Sequence, residues 1–204
     1  LAVLALAPDM AGGVFVGTTG GLWRCVAEGE DGVLCNETAS DLGPVQALWG
    51  GDEIWIGTPK GLVRGLEKPL TPYTTIDGLI DDRITALAAD SQSRLWIGTQ
   101  EGITRFQAGG REVWKSFPDV GPVHGLAIDH GDGVWAATEQ GLLYWNARWE
   151  NRQDPPSEWQ SYPVSVTDGG IDPVSLVYVQ PGGLLWAVTG SGMNGLDTSW
   201  RTYD

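Results

Sequence analysis

The chain has 204 residues, with 12 lysines and arginines against 26 acidic side chains, for a formal net charge of -14. That balance opposes binding to phosphate backbones or anionic lipid, so it argues against nucleic acid and membrane surfaces as partners. No run of 18 apolar residues is present to cross a bilayer as a helix.

The opening LAVLALA is too short for a secretory leader, lacks a basic flank and reads as a strand. The chain starts without methionine, which leaves room for further native sequence at either end. From here one phrase returns five times: VFVGTTGGLWR from Val14, IWIGTPKGLVR from Ile54, LWIGTQEGITR from Leu95, VWAATEQGLLY from Val134 and LLWAVTGSGMNG from Leu184. Its threonines, Thr18, Thr58, Thr99, Thr138 and Thr189, lie 40, 41, 39 and 51 residues apart, each with a glycine three positions on. A period near forty residues marks a copied supersecondary unit that needs its neighbours to bury a core. One domain over 1–204 is expected, with repeats at about 1–42, 43–81, 82–120, 121–171 and 172–204.

The first unit holds both cysteines, Cys25 and Cys35, around EGEDG in a hairpin between its third and fourth strands. A cross-strand disulfide and a pair of buried thiols are both open. The disulfide is favoured, and with it an extracellular or periplasmic location. Two cysteines without a nearby histidine pair do not compose a zinc site.

The third unit shows the strand pattern most cleanly, as ITALAAD from Ile84, then LWIGT, ITRF and REVWKSF, separated by SQSR, QEG and QAGG. Turn formers fill the gaps, and no segment carries the apolar stripe of a helix. The first strands begin at Val3, Val45, Ile84, Val123 and Val174 and are rich in alanine and glycine, while aromatics sit in the second and fourth strands. Small residues near an axis and large ones outside predict an all-β propeller of five four-stranded blades, closed on itself or forming an arc of a larger ring. Trp55, Trp96, Trp135 and Trp186 are expected to wedge between blades, with the five threonines bonding into the turns that follow them. The fourth unit is extended by NARWENRQDPPSE after Trp145, which makes Trp149 a candidate partner contact. The fifth unit ends on an outer strand at Trp200.

The phrases LWIGTQEGITRF and ITALAADSQSRLWIGT resemble the two-component-regulator propeller repeat of bacterial sensor regions and related secreted proteins. The match is best over Trp55 to Leu62 and Trp96 to Ile103. Phe15 replaces the tryptophan in the first copy, and Ala137 replaces the glycine in the fourth. The resemblance implies an exported recognition module and a role in signalling that this polypeptide cannot perform alone.

Loops entering the first strand and loops joining the second to the third form one face of such a fold. That face gathers Gln46, Lys60, Asp82, Arg83, Glu101, His124, Glu139 and Asp172 as candidate ligand contacts. Arg83 and His124 suit carboxylate or sugar hydroxyls, and the acidic groups offer acceptors to carbohydrate or to a cation. His124 and His130 stand at opposite ends of one strand, too far apart to share a metal. Asp129, Asp132 and Gly133 in DHGDG have too few ligands for a calcium loop, so no metal and no cofactor are expected. Catalytic motifs such as G-x-S-x-G are missing, which favours a non-catalytic role. The expected function is recognition of a small molecule, a carbohydrate or a protein. The alternatives are an assembly module with self-association, and a propeller glycoside hydrolase or lyase using Asp82 and Asp172.

Overall fold

A computed structural model describes residues 1–29, 32–51, 53–108, 112–146, 159–162, 164 and 172–197. Trp149 and the strand expected at Trp200 lie outside them. The described residues form five small antiparallel sheets in sequence order, the blades of an all-β propeller. Blade 1 comprises β1 (Val3–Asp9), β2 (Gly13–Thr18), β3 (Gly21–Glu28) and β4 (Gly32–Ala39). Blade 2 comprises β5 (Ala47–Gly50), β6 (Ile54–Thr58) and β7 (Gly61–Arg64). Blade 3 has β8 (Ile84–Ala89), β9 (Arg94–Thr99), β10 (Ile103–Gln107) and β11 (Val113–Phe117). Blade 4 has β12 (Val123–Ile128), β13 (Gly133–Thr138), β14 (Gly141–Asn146) and β15 (Gln160–Tyr162). In blade 5 the described strands are β16 (Val174–Val179), β17 (Leu184–Thr189) and β18 (Gly192–Asp197). A single 3-10 turn, Pro118–Val120, is the only helical element among the described residues.

Blade 2 departs from the four-stranded pattern. Its outer strand is reduced to one bridge, in which Leu62 and Tyr73 exchange backbone hydrogen bonds of 3.0 and 2.7 Å. The cause is in the sequence: Pro69 and Pro72 lack the N–H that a ladder needs, so pairing cannot spread along KPLTPY.

The chain divides into two compact units, residues 1–87 and 88–204. In the first, Ala7, Phe15 and Leu22 of blade 1 share one buried cluster with Leu48, Ile54, Ile56 and Val63 of blade 2. Close approach is enforced by glycine. A Cβ on Gly17 would lie 2.6 Å from Val45 Cγ1, and one on Gly57 would lie 2.5 Å from Ile84 Cγ2. In the second unit every residue of β9 and β13 is buried. Strands covered on both faces read as continuous apolar runs, which is why LWIGT and VWAAT do not alternate.

The second-to-third turns are built alike in all five blades. Each threonine hydroxyl donates to the carbonyl of the glycine three residues on, at 3.0 Å for Thr18, 2.9 Å for Thr58, Thr99 and Thr138, and 3.1 Å for Thr189. In the first four blades the same oxygen accepts the N–H two residues on, from Gly20, Lys60, Glu101 and Gln140. The closing glycine has positive φ, +127° at Gly61, a region closed to residues with a side chain. Thr-x-x-Gly is thus a clamp that fixes the backbone carrying Lys60, Glu101 and Glu139.

Candidate recognition face

Blade 4 gives the clearest geometry. Val123 pairs with Thr138, but the next pair is Gly125 with Ala137, so His124 is an extra residue in a β-bulge. A bulge takes a residue out of the ladder and re-aims it. His124 is exposed and follows the partner of Thr138, and exposed Glu139 follows Thr138 itself. Blade 2 repeats the arrangement: the Gln46 N–H donates 2.9 Å to the Gly57 carbonyl, which brings the entry to β5 alongside the Thr58–Gly61 turn that carries Lys60. Gln46 and Lys60 are exposed as well. Blades 2 and 4 therefore each offer two polar groups at one place, where the chain enters the first strand beside the clamped turn.

The other four candidates are already engaged within the protein. Asp82 Oδ1 accepts the Thr75 N–H at 2.7 Å and so closes the 74–82 loop. Arg83 Nε donates to Asp81 Oδ1 at 3.3 Å. Asp172 Oδ2 accepts the Ser191 hydroxyl at 2.5 Å, which ties the entry of β16 to the turn that begins at Thr189. Glu101 is exposed, and its N–H is held by Thr99. Asp82 belongs to the first unit and Asp172 to the second.

Cys25 and Cys35 are directly paired across β3 and β4 and form a disulfide. On the indole positions, Trp96 and Trp135 are fully buried and Trp55 nearly so, while Trp186 is half-buried. Arg64 lies 5.4 Å from the Trp55 ring and Arg105 lies 5.7 Å from the Trp96 ring, stacking cations on those indoles.

Sequence reasoning missed the group that anchors these indoles. The DHGDG carboxylates serve as hydrogen-bond acceptors within the protein. Asp129 accepts from the Gly131 and Gly133 N–H groups, both at 2.8 Å, and from Trp135 Nε1 at 3.0 Å. Asp132 accepts the Ser91 N–H at 3.0 Å and its hydroxyl at 2.6 Å, which links blades 3 and 4. His130 continues the chain of contacts, with Nε2 donating to the Pro181 carbonyl at 2.6 Å. In blade 3 Asp90 does the work of Asp129, accepting from Trp96 Nε1 at 3.0 Å and Arg94 Nε at 2.6 Å. Blade 5 uses Gln180 for Trp186, at 3.3 Å. Blade 1 has Phe15 in place of the indole, and Asp9 there accepts from the Ala11 N–H and from Arg24 Nε at 2.6 Å. These bonds, the Ala11 amide foremost and then Arg24, hold the Asp9 carboxyl below the ordinary aspartate range. The signal was present as an acceptor six residues before Trp96, Trp135 and Trp186, whereas Trp49 holds that place before Trp55. No group of three or more His, Cys, Asp or Glu among the described residues could hold a metal.

Residues 78–101 match the family model described as two component regulator propeller. No curated protein matches the chain. Among solved structures it is similar to the extracellular domain of a B. thetaiotaomicron protein named as a hybrid two component system, BT3049. There identity is 18% and the TM-score 0.65, over 95% of this chain and 32% of that one. The corresponding domain of BT4673 from the same organism gives 15% identity and a TM-score of 0.70, over 95% and 27%. PorZ, a surface component of the type-IX secretion system of Porphyromonas gingivalis, gives 15% and 0.65, over 96% and 32%. The chain thus spans about a third or less of the length of each. No helix among the described residues is long and apolar enough to cross a membrane.

Proposed function

We propose that the chain is a non-catalytic recognition module of an exported sensing system, and that it binds a small polyhydroxylated ligand such as an oligosaccharide through its strand-entry loops. One observation carries the reading. Gln46 with Lys60, and His124 with Glu139, occupy the same place in two blades, and among the described residues their side chains have no hydrogen-bond or ion-pair partner. Polar groups fixed by backbone clamps and left without internal partners are what a hydroxyl-rich ligand needs. An amide beside a cation suits a sugar carboxylate, and an imidazole beside a carboxylate suits vicinal hydroxyls. Export is supported by the disulfide, and sensing by the likeness to extracellular domains of two component systems.

Titration calorimetry against a panel of neutral and acidic glycans tests this. Heat is expected with at least one member. Lys60→Ala should weaken binding at the blade 2 loops and His124→Ala binding at the blade 4 loops, each about tenfold, since one hydrogen bond to a charged group contributes roughly 1.5–3 kcal/mol and 1.4 kcal/mol is a decade in affinity. A panel that gives no heat, or affinity unmoved by both substitutions, rejects the assignment.

A further inference from the structure

The outer edges of blades 1 to 4 are described, and three of them are guarded against pairing with another chain. An outer strand leaves a row of backbone N–H and C=O groups open, which invites strand addition unless proline, lysine or shortness prevents it. In blade 2 Pro69 and Pro72 hold the outer pairing to one bridge. β11 carries exposed Lys115, and β15 has only three residues. β4 differs: it runs for eight residues, GVLCNETA, with neither proline nor lysine. Its one charged residue is Glu37, and Val33 and Leu34 are 71% and 43% exposed.

Asn36 lies near the middle of this edge and opens the triplet Asn36-Glu37-Thr38, the acceptor pattern for an N-linked glycan and the only such triplet in the sequence. Register places Ala7, Phe15, Arg24 and Asn36 in one row across the blade. Ala7 and Phe15 of that row are buried in the cluster shared with blade 2, so the neighbour on this face is already in place, and Asn36 is still exposed. Among the described residues its amide holds no hydrogen bond. Thr38 also stands apart from the ladder: Trp23 pairs with Glu37 and Leu22 with Ala39, which makes Thr38 the extra residue of a β-bulge. Cys35, next to Asn36, is in the disulfide, as expected of a chain that passes through an oxidising, exported compartment.

We propose that Asn36 is a glycosylation site and that its glycan guards the β4 edge. The donor is an oligosaccharide carried on a lipid-linked pyrophosphate. The Asn36 amide nitrogen bonds to C1 of the first sugar and gives up one proton. The bond from C1 to the phosphate oxygen breaks, and the lipid pyrophosphate leaves with the electron pair. A bulky, hydrated sugar at this position blocks a strand from laying itself along Val33 to Thr38. The site shares with the proposed function only the export of the chain, and it needs no ligand on the strand-entry loops.

The whole chain, secreted from insect cells behind a cleavable leader, provides the test. Intact-mass spectrometry should show hexose and N-acetylhexosamine mass above the 21.8 kDa of the chain, removable by an N-glycosidase, and peptide mapping should place it on Asn36. Asn36→Gln and Thr38→Val should each lose the added mass entirely, while Thr38→Ser should keep it. An intact Cys25–Cys35 bond in non-reducing maps and unchanged circular dichroism check that each variant is exported and folded. The two sugar-free variants should aggregate about tenfold faster by light scattering, as an unguarded edge would. Adding Leu34→Lys, which puts on β4 the residue type that guards β11, should return them to the glycosylated rate. Secreted, disulfide-bonded wild type with a bare Asn36 would overturn the site. Equal aggregation with and without the sugar would overturn its role at the edge. Neither reading depends on the heats measured at the strand-entry loops, so the two proposals fail separately.

Discussion

Asp129 is a buried carboxylate with three N–H donors aimed at it, one of them from the indole of Trp135. Removing the acceptor strands buried donors at roughly 1–3 kcal/mol each, so the hairpin acidic residues are structural wherever an indole follows at the sixth position. That spacing is written in ITALAAD and VHGLAID, yet an aspartate before a tight turn is expected on turn chemistry alone. Only the direction of the indole N–H separates the two roles, and sequence does not carry it. In blade 1, where Phe15 has no N–H to give, Asp9 turns to Ala11 and Arg24. Its carboxyl is held below the usual aspartate value in the folded state. Its contribution to stability is therefore complete above the unfolded value of about 3.9 and disappears as pH falls through the lower folded value. Carboxyl NMR titration should place the Asp9 midpoint below that of an unfolded aspartate. Unfolding curves of wild type and Asp9→Asn, separate at neutral pH, should converge in acid. A midpoint at or above the unfolded value would remove this account of the hairpin.

At the scale of the blade, periodicity and turn chemistry together placed the strands, because the glycine after each threonine turn and the apolar second strand are set by backbone and burial alone. The outer strand of blade 2 was less legible: a fourth strand was expected by analogy with REVWKSF, and two prolines leave only the Leu62–Tyr73 bridge. The sequence points to eight loop residues on the recognition face, Arg83 and His124 foremost. Sequence could not tell that Asp82 is bound to Thr75 while a bulge sets His124 free, since bulges and loop hydrogen bonds depend on register. The glycine of W-x-G-T makes the strongest claim at this scale. Gly57→Ala would put a methyl 2.5 Å from Ile84 Cγ2 and 3.0 Å from Ala47 Cβ. Overpacking of this kind costs about 1–3 kcal/mol, so the urea midpoint should fall by the corresponding amount with an unchanged slope. An alanine tolerated at full stability would mean that blades 2 and 3 approach less closely than described.

Across the whole molecule, each blade draws stability from the blades beside it, so a local loss should fade with distance along the array instead of spreading evenly. The Cys25–Cys35 disulfide offers a way to impose such a loss at one end. It joins neighbouring strands across ten residues of sequence and lies in the first compact unit. Restricting a loop of that length in the unfolded chain is worth about 2–3 kcal/mol. Reduction should therefore lower amide hydrogen-exchange protection most in β3 and β4, less in β5 to β7, and least in β16 to β18. Blade 2 responds because Phe15 and Leu22 share their buried cluster with Ile54 and Ile56. Blade 5 is spared because it belongs to the second compact unit, where β16 packs on β12 and β13 of blade 4. Equal loss of protection at both ends would show the array unfolding as one cooperative body, and nearest-neighbour stacking would then be the wrong description of its stability.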